Sequence, residues 1–245
     1  MAQAKLDVRT HDGVMDVYLH APEGSGPFPT VILYVDAGGV RPAMHEMAEH
    51  LAATGYLVAM PNLFHRAGAF EAFDLDTVWS DPPERARIMA LVKQASPAAV
   101  MADTTALLDA LAKEPRARAE RVGCVGYCLG GRLAFTAAGA HPECVVAAAC
   151  IHGGHIATDD PESPHRHAAR IRAALYFGVA DGDTSCPPES QATLKAALDA
   201  AKVRYVLDVF RGAAHGFAVK DLAVYDPVAA DKQWQRVFAL FAKTL

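Results

Sequence analysis

The feature that most restricts the fold of this chain is a series of near-continuous apolar runs, each closed by a glycine, proline or small polar turn. They are TVILYV in 30–40, YLVAMPN at 56–62, RVGCVGYC at 121–128, VVAAACI in 145–154 and AALYFGVA at 173–180. A strand exposed on one face alternates apolar with polar residues, whereas a strand covered on both faces does not. Several two-sided strands in one chain require helices above and below a common sheet. The stretches between the runs supply them. In 43–55, Met44, Met47, Leu51 and Ala52 recur at helical spacing before a stop at Gly55. Residues 83–113 read as helix in two or more pieces, broken near Ser96 and Pro97, and 129–140, 188–202 and 231–245 read as further helices. VMDVYLHAP at 14–22 alternates like a half-exposed strand, and YVLDVF at 205–210 closes the strand series. Strand and helix alternate to the end, which predicts a three-layer α/β/α architecture with a mostly parallel central sheet. With no internal repeat and no compositional break, residues 1–245 are expected to form one domain.

Charge narrows the partners. A net charge of −5 leaves no basic footprint for nucleic acid and no polybasic membrane signal. No apolar stretch approaches the roughly 18–20 residues that a membrane span needs. MAQAKLDVRTHDG at the start has no apolar core of the secretory kind. Five cysteines, an odd number, fit free thiols in a reducing compartment. These features predict a cytoplasmic protein with no nucleic acid or membrane partner; they do not fix the oligomeric state, and a monomer or homodimer is expected.

In sheets of this kind reactive groups collect past the carboxyl ends of the strands, so the turn at 121–135, RVGCVGYCLGGRLAF, is the place to look. As a metal site it is poor: Cys124 and Cys128 have no second pair at ligand spacing. As a phosphate loop it is also poor, because no Lys-Ser/Thr follows the glycines and G-x-G-x-x-G is absent. Burial in a strand accounts for Cys124, and equally for Cys144 and Cys150. Cys128 differs. Gly126-Tyr127-Cys128-Leu129-Gly130 has the form glycine-x-nucleophile-x-glycine between a predicted strand and a predicted helix. Such a turn strains the nucleophile's backbone, and side chains two positions to either side would clash. The helix N-terminus favours a thiolate, and the Leu129 amide can face a developing oxyanion. A triad in the order nucleophile, acid, histidine can be completed. ADGDTSCPPE after one strand offers Asp181 and Asp183, and RGAAHGFAV after the next offers His215.

These pieces resemble the dienelactone hydrolase family of α/β-hydrolases. GYCLGG with cysteine as nucleophile, AAHGF around the histidine and DGDTSCPPE as the acid loop carry the resemblance, with PNLFHR (61–66) and AVYDPVAADKQWQR (223–236) in support. The resemblance implies an α/β-hydrolase fold and cleavage of a lactone or small activated ester through an acyl-cysteine, with Cys128 as nucleophile and His215 as base. Its acid loop places an aspartate four residues before a proline, which selects Asp183 before Pro187, with Asp181 the second choice. It implies an acidic residue after the third strand near the nucleophile, commonly glutamate; here that place holds Asp36, one carbon shorter, followed by Ala37 as the second oxyanion amide. Asp36 also reads simply as a turn residue before Gly38 and Gly39. Arginines hold the substrate carboxylate in dienelactone-cleaving members, and Arg41, Arg66, Arg85 and Arg87 are the candidates. No cofactor and no metal are implied.

His152 and His155, after a buried run, are candidates to line the pocket, whereas His45 and His50 are expected to be solvated on their helix. The aromatic segment 64–83 reads as a pocket wall carrying Phe64, Phe70, Phe73 and Trp79, or as a loop packed on itself. Two rival functions remain: a broader carboxylesterase or thioesterase with the same triad, and a non-catalytic protein in which Cys128 senses oxidants. The intact aspartate–histidine pair argues against the sensor, which does not need it.

Overall fold

The computed structural model describes residues 2–245. Eight strands form one sheet: β1 (Ala2–Thr10), β2 (Gly13–Ala21), β3 (Phe28–Tyr34), β4 (Leu57–Pro61), β5 (Ala117–Tyr127), β6 (Val145–Ile151), β7 (Ala174–Ala180) and β8 (Tyr205–Phe210). Their order is β1-β2-β4-β3-β5-β6-β7-β8, with β3 to β8 parallel to their neighbours and β1 and β2 antiparallel. Strand β1 has no counterpart in the expectations from sequence. It pairs with β2 through a tight turn that joins Thr10 to Gly13, and only Val8 in it is buried, so its side chains carry almost no apolar pattern.

Among the described residues six α-helices flank the sheet: α1 (Pro42–Ala52), α2 (Pro82–Gln94), α3 (Pro97–Leu111), α4 (Leu129–Ala140), α5 (Pro188–Ala200) and, after the last strand, α6 (Pro227–Thr244). Each opens on proline within its first two positions, where the missing amide costs nothing. The exception is α4, which opens at Leu129 directly after Cys128. Ser96 caps α3 by accepting from the Ala99 amide, so the predicted break there is a new helix start.

Glycines in β5 show why the layers close. A β-carbon on Gly123 would lie 2.9 Å from the Phe241 ring of α6, and one on Gly126 would lie 2.0 Å from the Gly130 carbonyl oxygen of α4. Successive strand residues face opposite sides, so α6 and α4 cover β5 from opposite faces. Val237 and Phe241 of α6 are fully buried, each worth about 1.5–3 kcal/mol of apolar transfer. On the same side His50 of α1 is exposed, as expected, while one edge of it meets the rings of Trp234 and Phe238 at 4.9 and 5.4 Å; His45 is instead half-buried, 3.1 Å from His20. Among the cysteines, Cys124 and Cys150 are buried, but Cys144 is only half-buried.

The chain leaves β3 for β4 on one side and returns to β5 on the other. The loops after β3 and β5 therefore diverge and open a crevice at their carboxyl ends.

Candidate active site

Cys128 links the end of β5 to the start of α4 with φ 53 and ψ −115, a left-handed conformation that L residues adopt only under constraint. The constraint is close backbone packing. A side chain at Gly126 would strike the Gly130 carbonyl, and one at Gly130 would stand 2.1 Å from the Tyr34 carbonyl oxygen. Hydrogen bonds fix the turn: the Cys128 amide donates to the Ile151 carbonyl oxygen at 3.0 Å and to His152 Nδ1 at 3.1 Å, and the Cys128 carbonyl accepts from Gly131 at 3.0 Å. Cys128 lies beyond the strand, so it shares no sheet face with Cys124.

The His215 and Asp183 loops converge on this turn. His215 Nδ1 lies 2.7 Å from Asp183 Oδ2, and the Asp183 side chain is almost entirely buried. Ser185 donates its amide and hydroxyl to Asp183 Oδ1 at 2.8 and 2.6 Å. Burial disfavours the Asp183 charge, but the hydrogen bonds from His215 and Ser185 outweigh it and hold the carboxyl below its ordinary range. Burial also disfavours the His215 cation; the hydrogen bond with Asp183 and the nearby Cys128 prevail, and the imidazole is pushed up to about 10. Asp181 is exposed and accepts from the Gly212 amide at 3.2 Å, away from the imidazole.

The other candidates divide sharply. Ala37 is buried against Val78 and Ile88, so the 64–83 segment and α2 cover the loop that carries it. No hydrogen bond among the described residues uses the amide of Ala37 or Leu129 as donor. Asp36 serves its own turn by accepting from the Gly38 amide at 2.8 Å. It is also held by both terminal nitrogens of Arg41, at 2.6 and 2.9 Å, and Arg41 in turn holds Asp221 at 2.6 and 3.0 Å. Arg66 is committed to Asp103 and Asp12, and Arg87 pairs with Glu84 and lies over the Phe73 ring at 3.9 Å. Arg85 is exposed. Three of the four arginines are thus engaged by carboxylates of the chain itself.

His152 is 1% exposed and sits between the Cys128 amide and the His215 ring, whose centroid is 5.3 Å away. His155 is exposed and touches the acid loop only through its amide, which donates to Ser185. In the aromatic segment, Phe64 is buried and Phe70 packs on it at 6.0 Å. Both would meet a β-carbon on Gly39, so they flank the Ala37 loop. Trp79 is 51% exposed and adds no wall. Ser185 and Asp221 were not singled out from sequence. Ser185 had a signal, its place two residues after an aspartate; Asp221 had none, because its partner is 180 residues away. No group of three or more histidine, cysteine, aspartate or glutamate side chains is placed for a metal among the described residues. No helix there is long and apolar enough to cross a membrane.

A buried aspartate, a histidine and a cysteine on a strained strand-to-helix turn, at the mouth of a parallel sheet, form a recurrent hydrolytic arrangement. A model of the dienelactone hydrolase family matches residues 15–245. The chain belongs to this family. Dienelactone hydrolase family membership makes it a hydrolase of lactone or carboxylic-ester bonds on an α/β-hydrolase fold. A relative from Synechocystis sp., named "Putative carboxymethylenebutenolidase", is 30% identical over 232 residues, covering 93% of this chain and 91% of its own. The crystal structure of a "Putative Dienelactone Hydrolase" from Klebsiella pneumoniae superposes with a TM-score of 0.86 at 26% identity, over 99% of this chain and 98% of that one. An acylaminoacyl peptidase of Pyrococcus horikoshii shares the fold alone, with a TM-score of 0.75 at 17% identity, over 100% of this chain and 42% of that one.

Proposed function

We propose that the protein hydrolyses lactones or small activated carboxylic esters through an acyl-Cys128 intermediate. The observation that carries this reading is the 2.7 Å hydrogen bond between His215 Nδ1 and Asp183, on a ring that lies 5.3 Å from that of His152, which itself bonds the Cys128 amide. Its raised proton affinity suits it to take the thiol proton on Nε2 while Asp183 fixes the tautomer. Cys128 Sγ attacks the carbonyl carbon, and the oxygen that gains charge is met by the unused amides of Leu129 and Ala37. Collapse breaks the acyl–oxygen bond, and His215 returns its proton to the departing alkoxide. In a lactone that alcohol stays tethered to the acyl group. His215 then takes a proton from water, whose oxygen attacks the thioester, and the thiolate leaves and is reprotonated. A thiolate is itself a good leaving group, so the route suits activated esters and enol lactones better than amides.

A broader esterase reading draws on the arginines. With Arg41, Arg66 and Arg87 all engaged by carboxylates, uncharged esters are favoured over esters that carry a free carboxylate. Mass spectrometry of the intact protein, quenched during turnover of a lactone and ester panel, tests both readings. An acyl adduct confined to Cys128 is expected, and the substrates that give it define the class. Turnover without any adduct, and with full activity in Cys128→Ala, would exclude the mechanism.

A further inference from the structure

The histidine at 152 is the buried titratable group that the hydrolytic steps leave unused, yet it touches both ends of the proposed proton transfer. It follows β6, and its backbone is itself strained, with φ 36. Its amide donates to the Gly178 carbonyl at 2.7 Å, which ties this residue to the neighbouring strand β7. Its Nδ1 accepts the Cys128 amide at 3.1 Å, and its ring meets those of His215 and Phe217 edge to face, at 5.3 Å each. Two residues in the left-handed region, one at the end of each of two adjacent strands, thus hold each other through a side-chain acceptor.

Acceptance at Nδ1 dictates the ring's state. A neutral ring must then carry its hydrogen on Nε2, and a second proton on Nδ1 would set donor against donor. Burial, with His215 nearby, lowers the His152 pKa to about 3, so the ring remains neutral. Its Nε2 is buried and has no hydrogen-bond partner among the described residues. An unsatisfied buried N–H costs about 1–3 kcal/mol, and an apolar ring would fill the same space without that cost. The feature a histidine adds here is the acceptor nitrogen aimed at the nucleophile's amide.

We propose that His152 is a positioning residue of the hydrolytic site: its unprotonated Nδ1 holds the Cys128 amide and so sets the turn that presents Sγ to His215. The inference rests on the acyl-Cys128 reading. The Cys128 amide is shared between His152 Nδ1 and the Ile151 carbonyl oxygen, at 3.1 and 3.0 Å, so it is not a donor to the oxyanion, and Nδ1 adds the side-chain half of the pair that fixes its direction. A loosened turn would misplace Sγ relative to His215 and the amides, a change that lowers kcat and leaves KM nearly unaltered, because Nδ1 is spent on the backbone and not on substrate.

The test compares His152→Phe, which keeps a ring but no acceptor, with His152→Asn, whose Oδ1 stands near the position of Nδ1. Turnover of a p-nitrophenyl ester is measured beside the urea midpoint of each variant. For His152→Phe, kcat is expected to fall by roughly 10- to 100-fold with KM within about threefold, and His152→Asn is expected to recover most of that loss. Equal kcat in His152→Phe and wild type overturns the role, and so does a His152→Asn variant that is folded but as slow as His152→Phe. Should His152→Phe not fold, 15N spectra of the wild-type imidazoles decide: the neutral Nε2–H tautomer of His152 across neutral pH supports the role, and the Nδ1–H tautomer or a cation overturns it. A wild-type protein inactive on every ester overturns the acyl-cysteine reading instead, so the two failures are separable.

Discussion

Gly130 and Tyr34 are in backbone contact: a β-carbon on Gly130 would lie 2.1 Å from the Tyr34 carbonyl oxygen. The first turn of α4, which carries Leu129, therefore presses directly on the end of β3, three residues before Ala37. Substituting Gly130→Ala forces one backbone to move. A loss of at least about 2 kcal/mol in urea unfolding is expected, with turnover lost even under conditions where the variant stays folded. A soluble variant with wild-type turnover would show that the proposed oxyanion site does not depend on this contact.

Removal of the Cys128 thiol separates chemistry from folding. Cys128→Ala is expected to abolish ester hydrolysis while circular dichroism and the unfolding midpoint stay near wild type, because the turn is held by the backbone and its glycines. His215→Ala is expected to be similarly damaging, since His152, the other imidazole at Cys128, has its Nδ1 committed to the Cys128 amide. Undiminished hydrolysis in either variant would place the chemistry elsewhere.

The two acid-loop aspartates make a paired test. Asp183→Asn is expected to lower kcat by roughly 10²- to 10⁴-fold, because the imidazole loses both its tautomer control and its counter-charge. Asp181→Asn removes only an exposed bond to the Gly212 amide, and turnover within about threefold of wild type is expected. A reversal of this order in steady-state assays would reassign the acid.

The proton affinity of His215 predicts a pH signature in stability. Its folded-state value, about 10, lies above its ordinary value of 6.5, so the native state binds this proton more tightly than the unfolded chain does. The stabilisation is complete below about 6.5 and is lost as the pH rises through about 10. Asp183 has the opposite sense: held below its ordinary range, it stabilises above that range and fails on acidification. Urea midpoints of wild type and His215→Gln are expected to converge as the pH is raised from 7 towards 10. A gap that widens over that interval would contradict the raised affinity.

Arg41 joins the loop before Ala37 to the loop after His215 by way of Asp36 and Asp221. Its removal strands the buried Asp36 carboxylate, so Arg41→Met is expected to cost about 3 kcal/mol in unfolding free energy. Asp221→Asn leaves the Arg41–Asp36 pair intact at a more exposed position, and a cost below about 1 kcal/mol is expected. Equal costs would mean that the network acts only as a surface ion pair.

By itself the sequence determined the layered α/β architecture, because two-sided strands cannot hide an apolar run in any other way, and it placed Cys128 in a glycine-flanked turn between strand and helix. It did not reveal β1, whose side chains stay mostly in solvent and whose stability comes from backbone pairing that leaves no apolar pattern. Only the tertiary structure decided which aspartate meets His215, since Asp181 and Asp183 share one short turn and differ by the direction in which the backbone points them. Only it tied Arg41 to both Asp36 and Asp221 and set His152 Nδ1 against the Cys128 amide. Contacts of this kind join residues far apart in the chain through directional bonds of about 3 Å, and local periodicity, which reports burial, carries no record of them.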